Sequence, residues 1–463
     1  MKKPDPSDKA RKKRRQKKIE RNRRKRKKLL KNRFKSRGHK RNPAKSSPNK
    51  ILKELGGVSK KDKQQREVFD YVENSIRASI GGRTRRFIRV NKKEVRFPEC
   101  FSFIEDPDTA VETLYEVVDA CNSGDRSRVC LDQDRCQTID YGAEAVASAI
   151  AKAASDGYAV RFQGKYPERR RAKEAVMAAG LPKHLGIDLP DLPHFEPFEL
   201  HHGRRRDDEW GHRSSEKERV ATRFVKYINR CLSKYGYCLT PDATKYIGGL
   251  CGEIINNCED HAGRDDWWIG GYMRMDPNKA VGDCHVAIFN FGDTICDTIK
   301  EIDRNSNTYH SIRKLIAKHC GDRQLPLVGN RFEEDQLWTL YALQQGVSRF
   351  RGDGDDEGGD RGQGTTEMIR FFQELGQTKD STINPKMCIV SGDTHIKFDG
   401  EYRMEEVSST WGNREIIAFN ENNSLEKPPD PGKVRKISSY FPGTVISLKF
   451  YVDHNYLNEK VQG

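Results

Sequence analysis

Apolar residues recur at helix and strand spacings from about residue 64 onward and predict an alternation of helices and strands. In the first part, helices are predicted at 65–78, 109–120, 142–153 and 169–180, and strands at 86–90, 94–103, 128–132 and 158–163. Alternating elements of this kind favour helices packed on a sheet. Residues 64–188 are therefore predicted to form a small α/β domain.

A second run of elements follows a proline- and charge-rich stretch, residues 189–213, which is predicted to be a linker. Helices are predicted at 216–234, 240–262, 297–302, 309–318, 333–344 and 365–375, and strands at 284–291, 386–391, 394–398, 415–420 and 444–452. Residues 214–455 are therefore expected to form a second α/β domain.

The positive charge of the chain lies at its N-terminus. Residues 1–50 hold 25 Lys/Arg and 3 Asp/Glu, so the net +17 of the chain less this +22 leaves −5 for the rest. Such a sequence buries too little apolar surface to offset its ordering entropy, so residues 1–62 are expected to be disordered when free. A basic arm releases counterions on binding a nucleic acid, and its single aromatic residue, Phe34, offers little base stacking. RNA or DNA backbone binding through residues 1–50 is predicted; a solvated tail or an acidic protein partner is the alternative.

Other classes of protein are disfavoured by composition. The chain has no run of about 18 apolar residues, as a membrane span requires. Its N-terminus has no apolar core of a secretory signal. The 12 cysteines form no CxxC pair and several lie in apolar segments. Reduced thiols in a cytoplasmic protein are expected.

The predicted helix 240–262 carries the most informative polar residues. Glu253 and Asn257 are four residues apart and share a helix face, which Asp260 and His261 continue. An amide oxygen is a hard ligand suited to Mg²⁺, and a carboxylate one turn earlier can deprotonate a water. An ordinary polar helix face is the alternative.

Segment 252–261 resembles the first nucleotide-binding motif of the GHKL ATPase superfamily, which includes gyrase and the histidine kinases. In that motif a helix carries Glu and then Asn four residues later. Three further segments follow in the superfamily's order. Residues 288–295 resemble its Asp-x-Gly-x-Gly strand end, residues 346–365 its lid with a glycine-rich second half, and residues 443–448 its last strand, which begins Gly-Thr. Four motifs in order are more specific than any one of them.

The resemblance implies a C-terminal two-layer α/β sandwich with a mixed sheet, the Bergerat-type ATPase fold, and it implies ATP and Mg²⁺ as cofactors. Glu253 would be the general base and Asn257 the Mg²⁺ ligand. The implied nucleotide-binding residues are Asn257, Asp260, Asn290, Gly292, Arg361, Gly362, Gln363, Gly364, Thr365 and Thr444. The sequence departs from the family pattern twice, because Asn290 replaces the adenine-reading Asp and Thr294 replaces the second glycine.

Residues 128–144 and 158–168 resemble the strand–turn–helix units of STAS-like regulatory domains. In phosphorylatable members a serine follows the aspartate of this turn, whereas Tyr141 and Gly142 follow Asp140 here. Phosphorylation at such a serine is thus excluded. A generic α/β packing domain is the alternative.

The expected function is an ATP-binding, Mg-dependent hydrolysing switch that signals nucleotide state to a protein partner not identified by sequence. Two alternatives stay open: a serine/threonine- or histidine-type protein kinase acting on a separate regulator, and a nucleic-acid-binding scaffold with a vestigial nucleotide site. A homodimer is compatible with each, and no membrane contact is expected.

Overall fold

The computed structural model describes residues 60–80, 94–122, 128–190, 192–205, 216–261, 263–275, 281–320, 332–347, 364–374, 383–409 and 412–456. The basic tail, the predicted strand 86–90 and the glycine-rich part of the expected lid lie outside these ranges.

Most predicted helices and strands are confirmed, with ends shifted by a few residues. Before residue 190 the elements are α1 Lys60–Ile80, β1 Glu94–Arg96, β2 Cys100–Phe101, α2 Pro107–Cys121, β3 Arg128–Asp132, β4 Thr138–Ile139, α3 Tyr141–Tyr158, β5 Arg161–Lys165, α4 Arg170–Ala179 and α5 Leu181–His184. After it they are β6 Phe195–Arg204, α6 Glu216–Ser233, α7 Pro241–His261, β7 Asp266–Arg274, β8 Val281–Phe291, α8 Ile295–Ile299, α9 Asn307–Cys320, α10 Glu334–Ala342, α11 Gly364–Glu374, β9 Lys386–Phe398, β10 Glu405–Ser409, β11 Gly412–Ile416 and β12 Val434–Asp453.

Side-chain caps set the start of several helices. Asp106 Oδ1 accepts a hydrogen bond from the Thr109 backbone N–H (3.2 Å) ahead of α2, and Asp140 Oδ1 accepts one from Ala143 (3.1 Å) at α3. An acceptor at this position satisfies an amide that the helix itself cannot pair. These starts are therefore encoded locally.

The central element is a five-stranded sheet of order β6-β7-β8-β12-β9. Every neighbouring pair in it is antiparallel. The expected mixed sheet is therefore wrong for this sheet. Parallel neighbours require a long crossover connection, whereas β7 and β8 follow each other after only residues 275–280.

Both faces of this sheet are buried. On one face Ile288 and Ile389 share a core with Ile254 of α7. On the other face Phe289 and Val390 share a core with α2 and α3, which belong to the first half of the chain. The region resembling STAS domains thus adds a further layer to the sheet and helices of the C-terminal region.

The expected domain division is not seen either. Ser59–Gly463 form one compact unit. The linker predicted at 189–213 is wrong for Phe195–Arg204, which is strand β6 and pairs with β7 at the sheet edge. Pro197 fits an edge strand because the missing amide need not pair with a further strand.

A smaller parallel sheet of order β1-β3-β5 lies in the first half of the chain. Its buried side chains, among them Val129 and Leu131, pack against α2 and α3. Two short strands, β2 and β4, also pair in parallel. The fold class is α/β, as predicted.

None of the helices within the described ranges is long and apolar enough to cross a membrane.

Candidate functional site

Three polar side chains form a row across the five-stranded sheet on the face covered by α7. Asn290 of β8 pairs with Thr444 of β12, and Thr444 pairs with Ser391 of β9. They share the face of Ile288 and Ile389, since strand residues two apart point the same way. The Ser391 and Thr444 hydroxyls are 2.7 Å apart, and Ser391 Oγ accepts a hydrogen bond from the Ile295 backbone N–H at 2.9 Å.

Asn290 is the unsatisfied member of this row. Its side chain is buried, and Nδ2 has no hydrogen-bond partner among the described residues. A buried donor left unpaired costs about 1–3 kcal/mol. Such a group needs a partner, which an ordered water or a ligand can supply.

Gly443 permits the close approach of β12 to β8 beside this row. A Cβ at this position would lie 2.1 Å from the Asn290 carbonyl oxygen, and φ is +156°. Only glycine fits there without moving one strand. The Gly-Thr sequence at 443–444 therefore has a packing role next to Asn290.

Helix α7 carries the predicted catalytic pair on its polar side. The Glu253 side chain is exposed and that of Asn257 is half-buried. Glu253 Oε1 accepts a hydrogen bond from Asn256 Nδ2 at 3.3 Å, and Asn256 Oδ1 accepts one from Lys217 Nζ at 2.7 Å. Sequence reasoning missed Asn256, because its contact with Lys217 on α6 depends on how two helices pack.

Asp260, predicted to contact nucleotide, has a partner within the protein. Its Oδ1 lies 2.8 Å from Nη1 of Arg205, which follows strand β6. This ion pair links α7 to the sheet edge.

The C-terminal end of α7 meets the loop that follows β8. Gly263 has φ +66°, and a Cβ there would lie 2.4 Å from Asp293 Oδ2. Trp267 Nε1 donates a hydrogen bond to Glu259 Oε1 (3.1 Å), which ties the same end of α7 to β7. The first two motifs, separate in sequence, are thus adjacent in the fold.

Thr294 explains one departure from the family pattern. Its Oγ1 accepts a hydrogen bond from the Asp297 backbone N–H at 3.0 Å, and Asp297 Oδ2 accepts one from the Thr294 backbone N–H at 3.3 Å. This reciprocal pair is a capping box that starts α8. A glycine there would lose it.

The expected phosphate loop is described only at its end. Arg361, Gly362 and Gln363 lie outside the described residues, whereas Gly364 begins α11 and Thr365 is half-buried in its first turn. Helix α11 packs beside α7, with the rings of Phe371 and Tyr246 at a centroid distance of 5.9 Å.

The described side chains do not form a metal site by themselves. No group of three or more His, Cys, Asp or Glu side chains in the described ranges could hold a metal ion. Mg²⁺ commonly keeps several waters and takes one or two protein ligands together with phosphate oxygens. The amide oxygen of Asn257 could be the one protein ligand in such a site, with waters and phosphate oxygens as the other ligands.

Sequence reasoning named Asn290 and Thr444 but missed Ser391 of β9. The signal for Ser391 was weak, because its place opposite Thr444 depends on register. Gly292 follows β8 directly and its backbone N–H donates to the Pro442 carbonyl at 3.0 Å. Comparisons of the chain with protein-family models, with curated proteins and with solved structures find no match.

Proposed function

We propose that the chain binds ATP with Mg²⁺ on the sheet face beneath α7, hydrolyses it, and acts as a nucleotide-dependent switch. The four motif segments stand in the order of the GHKL ATPases, and the packing of Gly263 on Asp293 brings the first two together.

The observation that carries the proposal is the buried, unpaired amide of Asn290 in a polar row with Thr444 and Ser391. A purine base edge presents both donors and acceptors. The Asn290 amide can accept from the adenine amino group through Oδ1, and its Nδ2 can donate to a ring nitrogen. The row would therefore read the base.

The exposed carboxylate of Glu253 fits a base that deprotonates an attacking water. The carboxylate also accepts a hydrogen bond from Asn256, its neighbour on the same helix. The amide oxygen of Asn257 would hold Mg²⁺, and the metal when bound neutralises charge on the phosphates. Gly364 and Thr365 would lie at the phosphate end, at the N-terminus of α11.

Binding is tested by thermal unfolding of the full chain with Mg²⁺ and ATP, ADP, GTP or no nucleotide. A ligand of the native state at 100 times its Kd should add about 2.7 kcal/mol of stability. An unchanged Tm with every nucleotide would contradict the proposal.

Hydrolysis is tested by phosphate release from ATP. We expect Glu253→Ala to abolish turnover and to keep the ATP-induced Tm shift, whereas Asn257→Ala should lose both. Glu218→Ala, an exposed glutamate on α6, is the matched control and should behave as wild type. Equal hydrolysis by wild type and Glu253→Ala would refute the assignment, and label on a copurifying protein in place of free phosphate would favour a kinase.

A further inference from the structure

One face of the parallel sheet β1-β3-β5 is uncovered in the described part of the chain. Helices α2 and α3 make the main helix contacts with these strands, and they cover the face of Val129 and Leu131. Parallel sheets are almost always covered on both faces. The outer face therefore calls for an occupant.

The outer face is basic. It carries Arg96, Arg128, Arg161 and Lys165, all exposed. Two acidic residues, Glu94 and Asp132, share the face, and Asp132 Oδ2 accepts a hydrogen bond from Lys165 Nζ at 2.5 Å. Exposed Arg135 and Arg169 lie just beyond the C-terminal ends of β3 and β5. These six basic residues are termed the basic face.

Two arginines of this face are direct neighbours. Arg128 and Arg161 are paired residues of β3 and β5. In the described part of the chain neither has an ion-pair partner. Like charges opposite each other destabilise a sheet, so this pair is not explained by stability. A polyanion lying across both strands would offset the repulsion.

The chain's own remaining segments are poorly suited to cover this face. Residues 81–93, which lead into β1, contain six Lys/Arg and no Asp/Glu, and residues 1–50 carry +22. Like charge disfavours both as occupants. Charge complementarity favours a phosphodiester backbone, in which each nucleotide carries a negative charge.

We propose that the basic face binds the backbone of RNA, with the basic residues on phosphates. Glu94 distinguishes RNA from DNA in this proposal. Its carboxylate is part-exposed among the cations, about 3.6 Å from Arg96 and 3.7 Å from Lys165. It can accept a hydrogen bond from a ribose 2′-hydroxyl, which DNA lacks. No aromatic side chain is exposed on the three strands, so sequence-independent binding is expected.

The test compares charge reversals in the full chain. Arg128→Glu/Arg161→Glu changes the basic face. Arg223→Glu/Lys226→Glu makes the same change in charge at two exposed positions of α6, which packs on the other side of the five-stranded sheet. The Kd for a labelled single-stranded RNA is measured by fluorescence anisotropy over a salt series, and a DNA of the same sequence is measured in parallel.

Reversal on the basic face should raise the Kd for RNA about tenfold over the α6 control, because two phosphate contacts are lost. It should also flatten the slope of log Kd against log salt by about 1.4, at about 0.7 per contact on a single strand. Circular dichroism melts establish folding, and Arg128→Gln/Arg161→Gln replaces the reversal if that variant does not fold.

Two results would overturn the proposal. If the two double variants bind RNA within about twofold of each other, the N-terminal tail accounts for binding and the basic face does not. If the basic-face reversal weakens binding of the DNA as much as binding of the RNA, the role of Glu94 in selecting RNA is wrong.

Discussion

The Ser447 hydroxyl donates a hydrogen bond to Asp140 Oδ1 over 2.9 Å, and both side chains are buried. Asp140 also caps α3 through the Ala143 amide. One carboxylate thus joins the first half of the chain to strand β12, three residues from Thr444. Together with the shared apolar core, the contact links the region resembling STAS domains to the proposed nucleotide site.

Ser447→Ala should lower the free energy of unfolding by about 1.5–3 kcal/mol, because a hydrogen bond to a buried carboxylate is lost. In a double-mutant cycle with Asp140→Ala, the two losses should couple by at least about 0.5 kcal/mol. Urea unfolding followed by circular dichroism measures both. Ser233→Ala, at an exposed hydroxyl on α6, is the control and should change little. Strictly additive losses would show that the contact contributes nothing.

Gly443→Ala should destabilise the protein and weaken ATP binding together. The new Cβ would meet the Asn290 carbonyl at 2.1 Å, so β12 must move away from β8 beside the base-reading row. Gly249→Ala is the matched control, since nothing lies within 4 Å of its Cβ in α7. There alanine should stabilise by about 0.5–1 kcal/mol. Thermal unfolding with and without ATP measures both variants, and a wild-type ATP shift in Gly443→Ala would contradict the proposed base pocket.

Asn290→Asp should narrow nucleotide selectivity. The asparagine amide offers both a donor and an acceptor, whereas an aspartate offers only acceptors, which suit the adenine amino group and not the guanine carbonyl. We expect the ratio of the Kd for GTP to that for ATP to rise in the variant. Isothermal titration with both nucleotides gives the ratio; an unchanged ratio would remove Asn290 from the base pocket.

The same substitution should also change the stability of the protein without nucleotide. An unpaired carboxylate at this buried position is costly to ionise, so Asn290→Asp without nucleotide should lose stability at neutral pH. Asn257→Ala, for which no ATP-induced Tm shift is expected, serves as the reference.

Asp283 makes part of the stability acid-sensitive. Burial raises the pKa of its carboxyl, but the hydrogen bond with His285 and the Arg274 guanidinium outweigh burial and hold this pKa well below its usual range. Arg274 Nη2 lies 2.6 and 2.8 Å from the two carboxylate oxygens. As pH falls, the unfolded chain takes up the proton first. The contribution is therefore full above about pH 4 and is lost as pH falls further, toward the folded-state pKa.

Asp283→Asn should cost about 3 kcal/mol at neutral pH, because Arg274 is left without its carboxylate in a largely buried site. The variant should also lose less stability than wild type between pH 5 and pH 3. Asp156→Asn, which breaks an ion pair with Lys152 on the surface of α3, is the control and should cost under about 0.5 kcal/mol. Urea titrations across pH decide between these outcomes; equal pH slopes for wild type and Asp283→Asn would contradict the expectation.

The spacing of apolar residues predicts the helices and strands whose pattern is complete within a short segment. Periodicity predicts a helix at 240–262, and α7 spans Pro241–His261, because a cap, a proline at the first turn and a continuous apolar stripe coincide. Strand β7 was not predicted. All but the last of its residues are buried, so no alternation of polar and apolar positions marks it.

The sequence by itself determined the α/β class, the helix starts and the polar pair Glu253 and Asn257, because caps and periodicity act within a few residues. Only the tertiary structure decided that the sheet is antiparallel, that Ser391 joins Asn290 and Thr444, and that α3 packs on β12. Gly142 illustrates the last point, since a Cβ there would lie 2.6 Å from Ser447 Cβ, more than 300 positions later in the chain. Register and layer packing are set by contacts between distant segments, and no local pattern records them.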